Sequence, residues 1–191
     1  MAISYNNLIT KHFHGRIGDV VLRWVGGRSV MSKRPDCSKV VKSPAQLANQ
    51  DRFRKAVKYG KAANKDPENH EFYRKRKKIH QSAYNAAVSD YLLKPKVESV
   101  DVGGYAGVQG NKISIRAWDK YKVESVIVMI INKMGQVIEK GPAVARSFSG
   151  GREWDYKATV VNIGYMGGRV EVRVIDKPGN VVQADIDVGG T

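Results

Sequence analysis

The sequence predicts an α+β fold, with an N-terminal β-hairpin and basic helices followed by an all-β sandwich. Three observations carry this expectation. Residues 44–94 show helix-start signals and helical spacing of apolar side chains. From Val97 the chain breaks into about seven short β-rich runs separated by turns. Charge is divided just as sharply. Residues 1–96 hold 21 Lys and Arg against 7 Asp and Glu, or +14, whereas the remainder holds 12 against 11, or +1. Two parts with different electrostatics read as two domains, 1–96 and 97–191.

The hairpin is read from composition. Gly15 to Asp19 forms a turn into the β-formers Val20 to Val25, Gly26-Gly27 supplies positive φ angles, and Arg28 to Ser32 returns. Arg23, Arg28, Lys33 and Arg34 place cations on or beside it, as a ribbon lying along a polyanion would. An amphipathic hairpin that merely covers the helices explains the same pattern.

Ser43-Pro44-Ala45-Gln46 has an N-cap, a proline at the first helical position and a glutamine where a capping box needs it. The helix it opens runs through Asn64. Phe53, Val57 and Gly60 share one side with Ala56 and Ala63. Arg54, Lys58, Lys61 and Lys65 recur at i, i+4, i+7 and i+11 and line a stripe of their own. Asp66-Pro67-Glu68 repeats the start signal, with acidic groups at the positive end of the helix dipole. That second helix is expected to carry Phe72 and Ile79 inward, interrupted by the run Arg74, Lys75, Arg76, Lys77 and Lys78. Ser82 caps a fresh turn, Tyr84, Val88, Tyr91 and Leu92 form its face, and Pro95 ends the helical region.

Five adjacent cations suit a solvated surface as well as a binding one. A second, regular stripe upstream tips the reading toward an anionic partner, and phosphate is the commonest polyanion. Tyr73, beside the basic run, is the aromatic best placed to stack on a base. His70 and His80 lie within the same cationic segment.

Several motifs together resemble a family of uncharacterised bacterial and phage-related proteins. They are Gly15-x-x-Gly18-Asp19-Val20-Val21, Gly27-Arg28-x-Val30, Ser43-Pro44-Ala45-Gln46-Leu47, Arg52-Phe53 and Ser82-Ala83-Tyr84-Asn85-Ala86. The resemblance covers about residues 13 to 93. It implies an autonomous N-terminal module and transfers no catalytic residue.

Strands are expected at residues 98–103, 112–118, 125–132, 136–139, 154–161, 169–175 and 181–188. Ile113 to Ala117 and Val170 to Val174 alternate clearly, Met134-Gly135 and Pro178-Gly179-Asn180 are hairpin turns, and the apolar run Val126 to Ile131 reads as a central strand. This pattern suggests a sandwich. Its end, Val174 to Val181 with Asp176 before Gly179-Asn180, is similar to the last hairpin of bacterial immunoglobulin-like domains. Such domains bind partners or build assemblies, and fold analogy does not choose between these roles.

Little else announces chemistry. Cys37 is the single cysteine, so no internal disulfide forms. His12 and His14 would share a strand face but have no third ligand nearby. Gly103 to Gly110 lacks the Lys-Ser/Thr and the following helix of a phosphate loop. Asp119, Asp176, Asp185 and Asp187 look scattered, with no ligand-loop spacing. No catalytic residues, metal site or cofactor are expected.

The start lacks a signal-like segment, and no run of apolar residues is long enough to span a membrane. The expected location is the cytoplasm or a particle assembled there. The expectation is therefore a non-enzymatic protein that binds DNA or RNA through its phosphate backbone. Its contacts would be Arg54, Lys58, Lys61, Lys65, the run Arg74 to Lys78, and Arg23, Arg28, Lys33 and Arg34. The sandwich would serve a protein partner or self-association. The alternative is a structural component of a larger particle, phage-derived or otherwise, whose basic half docks on an acidic protein surface.

Overall fold

The computed structural model describes residues 2–4, 14–36, 41–147 and 149–189. His12 and Cys37 lie outside the described residues. The chain divides into two compact units, Met1–Leu47 and Ala48–Thr191. The expected boundary at Lys96 falls inside the second unit, because the helices share a core with a residue of the β-rich part.

The first unit is an antiparallel sheet of β1 (Ala2–Ser4), β2 (Gly15–Ile17), β3 (Val20–Val25) and β4 (Arg28–Lys33), in the order β1-β4-β3-β2. The expected hairpin is its centre. Val25 pairs with Arg28, so the turn consists of Gly26 and Gly27 alone, at φ 55° and 78°. Two consecutive positive φ values match the twist of a tight hairpin and favour glycine at both places. At the end of this unit the capping box forms as read. The Ser43 amide donates to Gln46 Oε1 at 2.9 Å, and the Gln46 amide donates to Ser43 Oγ at 3.3 Å. Together they open α1 (Pro44–Lys65).

Helix α2 (Pro67–Arg76) starts at Asp66, whose carboxylate accepts the Asn69 amide. Helix α3 (Ala83–Leu92) starts at Ser82, whose hydroxyl accepts the Asn85 amide at 3.1 Å. Two expectations for the helices are corrected. Phe53 does not turn inward and is 55% exposed. Helix α2 does not continue to Ile79, which is 84% exposed: the backbone is extended at Lys77, and His80 takes φ 63°.

The β-rich part contains β5 (Lys96–Asp101), β6 (Lys112–Trp118), β7 (Val123–Ile131), β8 (Val137–Pro142), β9 (Val144–Ala145), β10 (Glu153–Lys157), β11 (Arg169–Asp176) and β12 (Val181–Asp187). Each of the seven expected runs contains a strand, although that expected at 154–161 ends at Lys157, and the two-residue β9 is an addition. They build two antiparallel sheets, ordered β5-β6-β10-β9 and β12-β11-β7-β8. Val126 to Ile131 lies in β7, which is flanked on both sides as its apolar run predicts.

One core serves both sheets. Ile113, Ile115, Trp154 and Tyr156 from the first meet Val126, Val128, Val170, Val172 and Val174 from the second. Period-2 alternation puts these residues on one face of each strand. A second core contains Ala63, Tyr73, Ala83, Ala86 and Ala87 from the helices with Tyr121 from the turn between β6 and β7. Small alanines let the helices approach closely, and the tyrosines fill the remaining space. The chain is thus a mixed α+β protein with a large β content.

Candidate functional site

Helix α1 sorts its residues by face. Ala56, Gly60 and Ala63 are buried, while Arg54, Lys58, Lys61 and Lys65 are exposed. At about 100° per residue the four cations fall within a roughly 60° arc on the side opposite the buried three. Gly60 permits this packing: a Cβ there would lie 2.6 Å from Val88 Cγ2 and 3.1 Å from the Tyr84 ring. Within the stripe, Arg54 reaches Asp51 at 3.6 Å. Lys58, Lys61 and Lys65 have no ion-pair partner among the described residues.

The run Arg74 to Lys78 is arranged differently. Glu71 accepts two hydrogen bonds from Arg74, at 2.6 and 2.8 Å, and lies 3.5 Å from Lys75. Arg74, first, and then Lys75 hold the Glu71 carboxyl down at about 2. The Arg76 guanidinium covers the Phe72 ring at 4.1 Å. Three of the five cations thus occupy the last turn of α2, where they also complement the negative end of the helix dipole. Lys77 follows in extended backbone, and Lys78 opens the turn closed by the Gln81 amide donating to its carbonyl at 3.1 Å. Arg23, Arg28, Lys33 and Arg34 are exposed and belong to the other compact unit.

Tyr73 is not available for stacking on a base, because it is wholly buried. Its hydroxyl donates to Asp90 Oδ2 at 2.7 Å and meets the Tyr59 hydroxyl at 2.8 Å. Burial, then the Tyr59 and Asp90 hydrogen bonds, raise its pKa far beyond the ordinary phenol range.

That hydrogen bond leads to a site sequence reasoning missed. Asp90 on α3, Asp119 after β6 and Asp176 at the end of β11 converge, each offering an oxygen within 4.8 Å of the others. Asp90 and Asp176 are 0% and 1% exposed. Asp119 Oδ2 is held by the Tyr121 and Lys122 amides, at 2.7 and 3.0 Å. Asp176 accepts from the Asn180 amide at 2.6 Å and from Asn180 Nδ2 at 2.7 Å. The same Nδ2 reaches the carbonyls of Tyr91 and Leu93, tying the end of α3 to the turn after β11.

Burial, then the charges of Asp119 and Asp176, push the Asp90 carboxyl up to about 7, against the Tyr73 hydrogen bond and the Lys120 charge. Burial also raises Asp176, with Asn180 opposing. Two of the aspartates that looked scattered are therefore brought together, with a third from a helix. Asp185 and Asp187 stay exposed on β12. Asp90 completing the otherwise apolar face of Ala83, Ala86 and Ala87 on α3 is a hint of this in the sequence.

No family model and no curated protein matches the chain. Among solved structures, CopC from Methylosinus trichosporium OB3b is similar at 18% identity over 48% of this chain and 87% of its own, with a TM-score of 0.35. An engineered protein is similar at 14% identity over 54% of this chain and 25% of its own, with a TM-score of 0.31. At such scores neither likeness carries an argument about fold or function.

Proposed function

We propose that the chain is a non-enzymatic nucleic-acid-binding protein whose contacts are to the phosphate backbone, acting in the cytoplasm or in a particle assembled there. The observation that supports this best is the stripe Arg54, Lys58, Lys61 and Lys65, exposed on α1 directly opposite its buried face. A helix docked through Ala56, Gly60 and Ala63 presents such a stripe without unfolding anything. Eleven residues at 1.5 Å each place the outer cations about 16 Å apart along the axis, close to five base steps of a duplex. Contacts of this kind give affinity and little sequence discrimination.

The same reading ranks the cations. Lys58, Lys61 and Lys65 are free to approach phosphate, whereas Arg74 and Lys75 would first have to leave Glu71. Lys77 and Lys78, beyond the helix end, extend the surface, and Arg23, Arg28, Lys33 and Arg34 give the hairpin unit its own contacts. The β-rich part we read as an immunoglobulin-like sandwich that carries a protein partner or self-association. The test is binding to short duplex DNA and RNA over a salt series, with Lys58→Glu/Lys61→Glu compared against Arg74→Gln/Lys75→Gln. The first pair is expected to lose most of the affinity and the second little. Equal losses, or none, would contradict the assignment to α1.

A further inference from the structure

Among the described residues, four buried side-chain oxygens lack a hydrogen-bond partner: Asp90 Oδ1, Asp119 Oδ1, Tyr121 Oη and Glu139 Oε1. Two belong to the carboxylate cluster, and a third belongs to the residue whose amide holds Asp119. An unpaired buried carboxylate oxygen costs more than a neutral group, because it forfeits solvation without compensation. An unpaired oxygen on the fully buried Asp90, in a cluster of three aspartates that each offer an oxygen within 4.8 Å of the others, calls for a cation.

We propose that Asp90, Asp119 and Asp176 form a binding site for a hard divalent cation, calcium or magnesium, that joins the helices to the sandwich.

Each carboxylate is positioned by protein hydrogen bonds to one or both of its oxygens while ligand capacity remains. Tyr73 holds Asp90 through Oδ2 and leaves Oδ1 free. The Tyr121 and Lys122 amides hold Asp119 through Oδ2 and leave its Oδ1 free. Asn180 orients Asp176 through both oxygens, each of which keeps a second lone pair. Partners that orient carboxylate ligands in this way are a regular part of metal sites.

The donor set is oxygen alone, with neither His nor Cys, which selects hard cations over zinc or copper. A calcium ion with bonds of 2.3–2.6 Å spans oxygens up to about 5 Å apart, which covers separations within 4.8 Å, whereas magnesium spans about 4 Å and needs the carboxylates at or drawn to that distance. Charge also balances. Three carboxylates carry −3, Lys120, which donates to Ser89 Oγ beside Asp90, carries +1, and a divalent cation brings the sum to zero. The three ligands come from α3, the β6–β7 turn and the end of β11. Occupancy would therefore clamp the helices onto both sheets, and the site is independent of the phosphate-binding stripe.

The test uses the full chain, freed of metal with a chelator and melted at pH 7.5 in matched ionic strength with sodium, magnesium or calcium chloride. A calcium or magnesium site raises the melting temperature by about 5–10 °C at roughly a hundredfold excess over Kd. Asp119→Asn is the informative variant, since asparagine can still accept the two turn amides through its side-chain oxygen. It is expected to fold and to weaken cation affinity at least tenfold. A direct readout that needs no variant is terbium luminescence sensitised by the nearby Tyr73 and Tyr121, competed away by calcium. Two results would overturn the proposal. One is no melting shift and no terbium signal up to about 10 mM cation, tenfold above the weakest sites of this chemistry. The other is a shift unchanged in both Asp119→Asn and Asp90→Asn. Either leaves the cluster as a set of carboxyls sharing protons.

Discussion

Tyr73 shows how one side chain can be read in two ways. Beside five cations it resembles a stacking platform, yet its hydroxyl donates to Oδ2 of the fully buried Asp90. Removing that hydroxyl in Tyr73→Phe strands Asp90 Oδ2 and is expected to cost about 1–3 kcal/mol, measured by urea unfolding. Nucleic-acid affinity should not change. Asp155 offers a second residue-level test. Arg146, and then Lys112, hold its carboxyl down at about 2, from an ordinary value of 3.8. The folded state binds that proton less readily than the unfolded chain, so stability present above about pH 4 is lost as pH falls toward 2. Asp155→Asn should remove that part of the acid slope, seen as a smaller difference in unfolding midpoint between pH 4 and pH 2.

At the scale of elements, helix starts were legible because capping is local chemistry. Ser43, Asp66 and Ser82 each bond an amide three residues on, as their side chains require. The end of α2 was not legible. A run of five cations has no apolar period, and nothing local announces the extended backbone at Lys77. Strands were readable from alternation, whereas β9 is held only by its pairing with β10. The α1–α3 contact at Gly60 supplies the prediction at this scale. A Cβ at Gly60 meets Val88, whose χ1 is fixed in a helix and so yields poorly. Gly60→Ala is expected to destabilise by about 1 kcal/mol net, overpacking outweighing the helix-propensity gain. In a Val88→Ala background the same change should cost less or become stabilising. A double-mutant cycle by chemical denaturation measures the coupling.

For the whole molecule, the sequence carried the charge asymmetry, the mixed α+β class and the order of the strands. It did not carry the grouping of the helices with the β-rich part, which rests on Tyr121 packing against Tyr73 and on Asn180 reaching the carbonyls at the end of α3. Nor did it carry the carboxylate cluster, whose members stand 29 and 57 residues apart and meet only through tertiary structure. The basic stripe was legible because helical periodicity alone defines it. The four stripe cations contacting phosphate should release counterions on binding and contribute about −3 to −4 to the log–log salt slope on duplex DNA.

Phosphate binding by α1 stands or falls on that slope, measured by fluorescence anisotropy on the full chain and on Lys58→Glu/Lys61→Glu. A steep slope is expected in the parent protein, and one shallower by about 2 in the variant. Absence of binding to DNA and RNA at low salt, or an unchanged slope in the variant, would contradict it.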